Sequence, residues 1–272
     1  MGCAHACIIS CGMFVWVMPI PVYIGLIMIK NIRVILYQKS LGIPITKSDI
    51  KSMHEFSPHF VCFPEYFFVN QRLGNHGQSM HNQKLQIKRI KLLSKSLNSV
   101  IIGGTMPELA DGVMYNTTYV YQNGEELGFY RKKNLFFAEV GTITPGDKFK
   151  IFNAYGFNFG VLICADVFHD ESFIFMKEHG AKIIFSPTFS LFKKNESIDE
   201  KYKRDNDIYI RGANIADSTI VKVCGVSSEY KPFLQARSLI ANKNEVLYRV
   251  KPEEEHTEMI IKQEVKINID AN

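Results

Sequence analysis

Three short stretches carry the side chains with the most chemistry to offer: Phe63-Pro64-Glu65, Tyr130-Arg131-Lys132-Lys133-Asn134 and Gly160-Val161-Leu162-Ile163-Cys164-Ala165-Asp166. A thiol of ordinary pKa is a minority thiolate at neutral pH, so a nucleophilic Cys164 needs a base or a neighbouring cation. Glu65 offers the base and a lysine of the second stretch offers the cation. Read one at a time, each has a plainer meaning. Glu65 alone is a surface carboxylate. Three consecutive cations form a solvated turn unless one lysine points inward against a carboxylate, because charges are rarely buried unpaired. A lone Cys ending an apolar strand is core packing. Cys164, however, runs into Asp166, His169, Asp170 and Glu171, and His169 at i+5 has no defined geometry as a partner.

The elements around these stretches alternate. Ile32 to Tyr37, His59 to Phe63 and Ser99 to Thr105 read as strands, the last ending in the turn Gly103-Gly104. Thr46 or Ser48 caps a short helix to about Phe56, and Ser79 to Asn98 has helical spacing with Lys84, Lys88, Lys91 and Lys95 interspersed. Tyr115 to Tyr121 and Leu127 to Tyr130 form a hairpin about Asn123-Gly124. Phe157 to Ile163 is a buried strand, Glu171 to Gly180 a helix, Lys182 to Phe185 a strand, Asp205 to Ala216 a helix and Thr219 to Cys224 a strand. Ser238 to Asn242 and Glu245 to Val250 make a second hairpin. Alternating strands and helices mixed with hairpins predict one α/β domain with a mixed sheet over residues 28–272.

Composition narrows the function classes. The chain has 272 residues, 46% hydrophobic and 22% charged, with a net charge of +5, ample for a packed core without disulfides. No Lys/Arg stripe interleaved with aromatics points to nucleic acid. Cys3, Cys7, Cys11, Cys62, Cys164 and Cys224 do not form a secreted disulfide framework, which makes a reducing cytoplasm the expected compartment. Met1 to Ile29 contains no Lys, Arg, Asp or Glu. Residues 1–27 are therefore either an apolar anchor, long enough to span a bilayer, or an extension before a true start at Met28. Membrane contact is expected only through residues 1–29. Cys3, Cys7 and Cys11 with His5 are spaced too widely for the usual structural zinc pairs, and no metal site is assigned.

Taken together and in order, the three stretches resemble the motifs of the nitrilase superfamily of carbon–nitrogen hydrolases. Gly103-Gly104-Thr105 through Pro107-Glu108, Tyr115-Asn116-Thr117, Leu135-Phe136, Glu139 before Pro145-Gly146-Asp147, Gly180-Ala181 and Ser186-Pro187 extend the likeness, which runs from about Ile32 to Ile269. The resemblance implies a four-layer α-β-β-α sandwich, with homodimers packed through the helices near the nucleophile. It makes Cys164 the nucleophile, Glu65 the base, Lys132 rather than Lys133 the catalytic lysine, and Glu139 a second glutamate at the site. It further implies substrate contacts from Tyr66, Ala165, Phe168 and Thr188, a small-molecule amide as substrate, and no metal or organic cofactor.

Several positions depart from the family pattern. Ala165 replaces an aromatic, His169-Asp170 stands for Pro-Glu, Asn134 for His and Ala236 for Gly, while the usual Arg-Ala-x-Glu-Asn helix is reduced to Asn214-Ile215-Ala216-Asp217-Ser218. Nitrile-cleaving relatives tend to carry Cys-Trp-Glu, so Cys164-Ala165-Asp166 favours the amidase and carbamoylase branches. Two rival readings stand beside the hydrolase: an N-acyltransferase of the same superfamily, and a non-catalytic binding protein that keeps the fold.

Overall fold

A computed structural model describes residues 27–69, 82–191, 193–228, 231 and 233–270. Most of the apolar extension, with Cys3, Cys7 and Cys11, lies outside the described residues.

Two sheets form the middle of the molecule. The first joins β1 (Ile27–Gln38), β2 (Phe60–Cys62), β3 (Val100–Ile102), β4 (Met106–Ala110), β5 (Val113–Gln122) and β6 (Glu125–Arg131), with β13 (Met259–Asp270) along its far edge. The second runs in the order β12-β11-β10-β9-β8-β7, formed by β7 (Ile151–Ala154), β8 (Phe157–Val161), β9 (Ala181–Thr188), β10 (Thr219–Cys224), β11 (Leu239–Ala241) and β12 (Val246–Arg249). Strand alternation sorts the layers. Ile32, Val34 and Leu36 of β1 and Phe60 and Cys62 of β2 pack with Phe159, Val161 and Phe185 of the opposite sheet. Their neighbours Ile35, Tyr37, Val61 and Phe63 face the other way, against Met53 of α1 (Lys47–Phe56) and Ile90, Leu93 and Leu97 of α2 (Gln83–Leu97). On the far side, Phe173 and Met176 of α3 (Asp170–Glu178) and Ala213 and Ala216 of α5 (Arg211–Ala216) cover the second sheet. The result is the expected four-layer α-β-β-α sandwich. α3 comes close to β8 because Gly160 has no side chain: a Cβ there would lie 2.2 Å from the Met176 sulfur.

Local chemistry sets the element ends. Thr46 and Asp49 close a capping box on α1, and Asn123 (φ 49) and Gly124 (φ 84) make the β5–β6 turn. The helix expected over Asp205 to Ala216 begins earlier, at the Ser197–Glu200 capping box of α4 (Ile198–Asp205), and passes through a π-turn at Asn206–Ile210 before α5. β4, β7 and β13 add to the strands expected from the sequence. β13 pairs antiparallel with β1 along its whole length, Ile27 opposite Asp270 through Gln38 opposite Met259.

Strand direction decides where a site can form. β1, β2 and β3 run parallel, with Val34, Phe60 and Val100 in register at one end. β8, β9 and β10 are likewise parallel, with Val161, Phe185 and Val221 aligned. Ligand sites of open α/β sheets sit at the carboxyl ends of such strands.

Candidate active site

Glu65 follows β2, Lys132 follows β6, Cys164 follows β8, and Phe189 follows β9. A tight turn makes room for Glu65: Gly104 (φ +60) passes so close that a Cβ would lie 2.3 Å from the Pro64 carbonyl oxygen. Tyr66 has a left-handed backbone (φ 59), and its N–H donates to Thr105 Oγ1 at 3.0 Å.

The lysine named from the sequence points inward. Lys132 is 1% exposed, and its ammonium donates to Glu65 Oε1 at 2.9 Å and to Glu139 Oε2 at 2.6 Å. Lys133 turns outward to Glu171. Glu139 is fixed by its own turn, accepting from the Phe136 N–H at 2.9 Å while its N–H donates back to the Phe136 carbonyl at 2.8 Å. Tyr66 OH donates to Glu139 Oε1 at 2.8 Å. The Phe189 peptide joins the remaining members. Its N–H donates to Glu65 Oε2 at 2.9 Å, and the Cys164 thiol donates to its carbonyl at 3.7 Å.

Two carboxylates around one ammonium leave the cluster with an excess of negative charge. Burial, the largest influence, pushes the Glu65 carboxyl above its ordinary pKa; Lys132 opposes this and Glu139 adds to it. For Glu139 burial also acts upward, but the Lys132 charge and hydrogen bond overcome it and hold the group below the carboxylate norm. Lys132 stays an ammonium, since Glu65 and Glu139 outweigh the cost of its burial. Burial and then the Glu65 charge push the Cys164 thiol up, so it rests protonated.

Cys164 has φ 45, a left-handed conformation that costs an L-residue about 1–2 kcal/mol. Asp166 braces the turn. Its Oδ2 accepts from the Ile163 N–H and Tyr130 OH, both at 2.8 Å, and its Oδ1 accepts from the Asn134 N–H at 2.8 Å. The Cys164 turn is thus tied to the segment bearing Lys132. Burial raises Asp166 to about 6.

The four expected substrate contacts are placed differently. Tyr66 lies within the cluster, and Ala165 sits buried beside Cys164. The Thr188 hydroxyl donates to the Ser186 carbonyl. Phe168 ends the turn that begins at Cys164 and is 54% exposed, with no hydrogen bond or ring contact to the cluster among the described residues. Sequence reasoning does not single out Asn116 as a site residue, yet its Nδ2 donates to both Glu65 Oε1 and Glu139 Oε1 at 2.9 Å. That bonding fixes its amide orientation, because the oxygen would repel two carboxylates. An Asn inside the expected strand Tyr115 to Tyr121 is an available signal, since Asn is depleted there.

Comparison with known proteins agrees with this architecture. The family profile described as carbon-nitrogen hydrolase matches residues 40–237. Nitrilase homolog 2 of Dictyostelium discoideum is 31% identical over 113 residues, covering 37% of this chain and 34% of that protein. Omega-amidase NIT2 of Xenopus tropicalis is 27% identical over 184 residues, covering 61% of this chain and 66% of that protein. The matched segment thus spans between about a third and two thirds of these relatives' lengths. The crystal structure of Saccharomyces cerevisiae Nit3, a member of branch 10 of the nitrilase superfamily, superposes with a TM-score of 0.70 at 19% identity, covering 86% of this chain and 89% of Nit3. By its profile match, its two-sheet sandwich and the motifs its strand ends carry, the chain belongs to the carbon-nitrogen hydrolase family.

Proposed function

We propose that this protein hydrolyses the carbon–nitrogen bond of a small, non-peptide amide through a thioester on Cys164. The observation that carries the reading is a buried lysine shared by two carboxylates of unlike proton affinity, joined through the Phe189 peptide to a thiol. Glu139 keeps Lys132 charged, which leaves Glu65 free to move protons. Glu65 takes the thiol proton as sulfur attacks the amide carbonyl. The oxyanion that forms is met by the Lys132 ammonium and the backbone N–H of Ala165. Glu65 returns the proton to the departing nitrogen, the carbon–nitrogen bond breaks, and ammonia or an amine leaves. Water then gives a proton to Glu65, its oxygen attacks the thioester, and the thiol is restored as the acid departs. Tyr66, Ala165, Phe168 and Thr188 supply the substrate contacts in this reading. Amides rank above nitriles because of Cys164-Ala165-Asp166 and because one relative is named an omega-amidase. A homodimer packed through α3 and α5 would cover the exposed Phe168 and Ile174.

The test is ammonia release from a panel of ω-amides, aliphatic amides, carbamoyl compounds and nitriles, with intact mass recorded during turnover. Turnover of an amide with an acyl adduct that disappears in Cys164→Ala is the expected result. No turnover and no adduct across the panel would sink the reading.

A further inference from the structure

Among the described residues, a row of like charge with no carboxylate among it lies on α2, outside the site. Its fifteen residues contain Lys84, Lys88, Arg89, Lys91 and Lys95 and no carboxylate. All five cations are exposed, and none has an ion-pair partner among the described residues. Lys84, Lys88, Lys91 and Lys95 follow one another at spacings of four, three and four, which lines them along one face. The opposite face is accounted for: Ile90, Leu93 and Leu97 are buried against the first sheet.

Two apolar side chains stand out among these cations. Leu85 is 47% and Leu92 55% exposed. Seven residues apart, they share one line on the helix, between the lysine row and Arg89. α1 continues the surface, since His54 of α1 and Ser96 of α2 meet at 3.0 Å and Lys47 and Lys51 are exposed nearby. Basic residues interleaved with leucines suit the headgroup region of an anionic bilayer, where cations meet lipid charge and leucines reach the acyl boundary. A soluble polyanion would use the cations and leave the leucines idle.

A second, independent observation comes from the sequence before β1. Met1 to Ile29 carries no Lys, Arg, Asp or Glu and is largely apolar. The register of the parallel strands shows where it joins the molecule. Val34, Phe60 and Val100 are aligned, so Ile27 to Arg33 project past the sheet end from which β3 starts, three residues after α2 finishes. The uncharged segment therefore joins the molecule at the Lys95 end of α2. The active site lies at the opposite ends of these strands.

We propose that the outer face of α2, through Lys84, Lys88, Lys91, Lys95, Leu85 and Leu92, docks the protein on an anionic lipid bilayer with the active site left open to solvent. The inference is independent of the hydrolase reading, and its test needs no substrate. The full chain is floated with vesicles of phosphatidylcholine alone, and with vesicles containing phosphatidylserine at about one third. Binding to the anionic vesicles should be roughly tenfold tighter or more, and the advantage should disappear at high salt. Replacing all four lysines with Gln should bring anionic binding down to the neutral level. Leu85→Gln with Leu92→Gln should weaken binding several-fold at unchanged charge. Circular dichroism of each variant should match the wild type, as exposed residues predict. Equal binding to both vesicle types would overturn the proposal. So would an anionic preference that survives the lysine changes, or binding indifferent to the leucines, which would make the surface a site for soluble polyanions.

Discussion

Two buried ionic clusters among the described residues differ in their ratio of carboxylates to cations. At the candidate active site one ammonium, Lys132, lies between Glu65 and Glu139. At the second cluster one carboxylate, Asp205, lies between Lys222 Nζ at 3.2 Å and Arg237 Nε at 2.9 Å, and Lys201 pairs with Glu255 at 3.0 Å. The proton affinities differ accordingly. Glu65 is raised, mainly by burial, with cation help it must share. Asp205 is also opposed by burial, but two cations overcome it and its pKa falls. The same ingredients thus raise the proton affinity of a carboxylate in one place and lower it in the other. Excess acid at a buried cation leaves one carboxylate under-compensated; excess base favours the charged form.

Three substitutions put this contrast at risk. The largest effect belongs to Lys132→Met, which leaves two buried carboxylates without their shared cation. kcat/KM should fall by about 10³-fold or more in the ammonia assay. If the variant kept wild-type rates, the lysine would have no part in the chemistry. Asp205→Asn comes next and acts on stability. It strands Lys222 and leaves Arg237 only its longer contact with Glu255 at 3.8 Å, and should cost about 3–5 kcal/mol in urea unfolding, while activity of the folded fraction is retained. Because the folded pKa of Asp205 is depressed, its contribution is present above the ordinary aspartate range and lost as pH falls through the folded value. The gap between variant and wild type should therefore narrow below about pH 4. The smallest effect is expected of Glu139→Gln. Removing that charge takes away one cause of the raised Glu65 pKa, so the acid limb of the rate profile should move to lower pH, with kcat down roughly 10²-fold. An unmoved acid limb would separate Glu139 from the tuning of Glu65.

How much of this is legible in the sequence depends on how far apart the partners lie. Cys164, Glu65 and Lys132 stand at strand ends, where an apolar run stops at a reactive side chain, and local reading finds such places. Lys132 and Lys133 are indistinguishable by composition; only the alternation of β6 and the family likeness send the first inward. Asp205 and Arg237 sit 32 residues apart, and Asp205 ends a helix whose start at Ser197 local reading misses. No local pattern announces that pairing. The Phe189 contribution is harder still, because it is made by backbone N–H and carbonyl groups that almost any residue could supply. β13 escapes for another reason. Its Lys262, Glu264 and Lys266 alternate with Ile261, Val265 and Ile267, but its partner β1 is more than two hundred residues earlier in the chain.

The left-handed backbone at Cys164 carries a lesson about inheritance. A glycine there would relax the turn, since it alone adopts positive φ without steric cost, and it would remove the sulfur. The position therefore sets a relaxed turn against a thiol, and a chain that keeps the thiol there accepts a strained turn. Asp166, Tyr130 and the backbone of Asn134 hold that turn in place, so the debt of position 164 is spread over residues outside the Glu65, Lys132 and Glu139 cluster. Drift at those supporting positions would show first as a loosened Cys164, while the sandwich around it stayed whole.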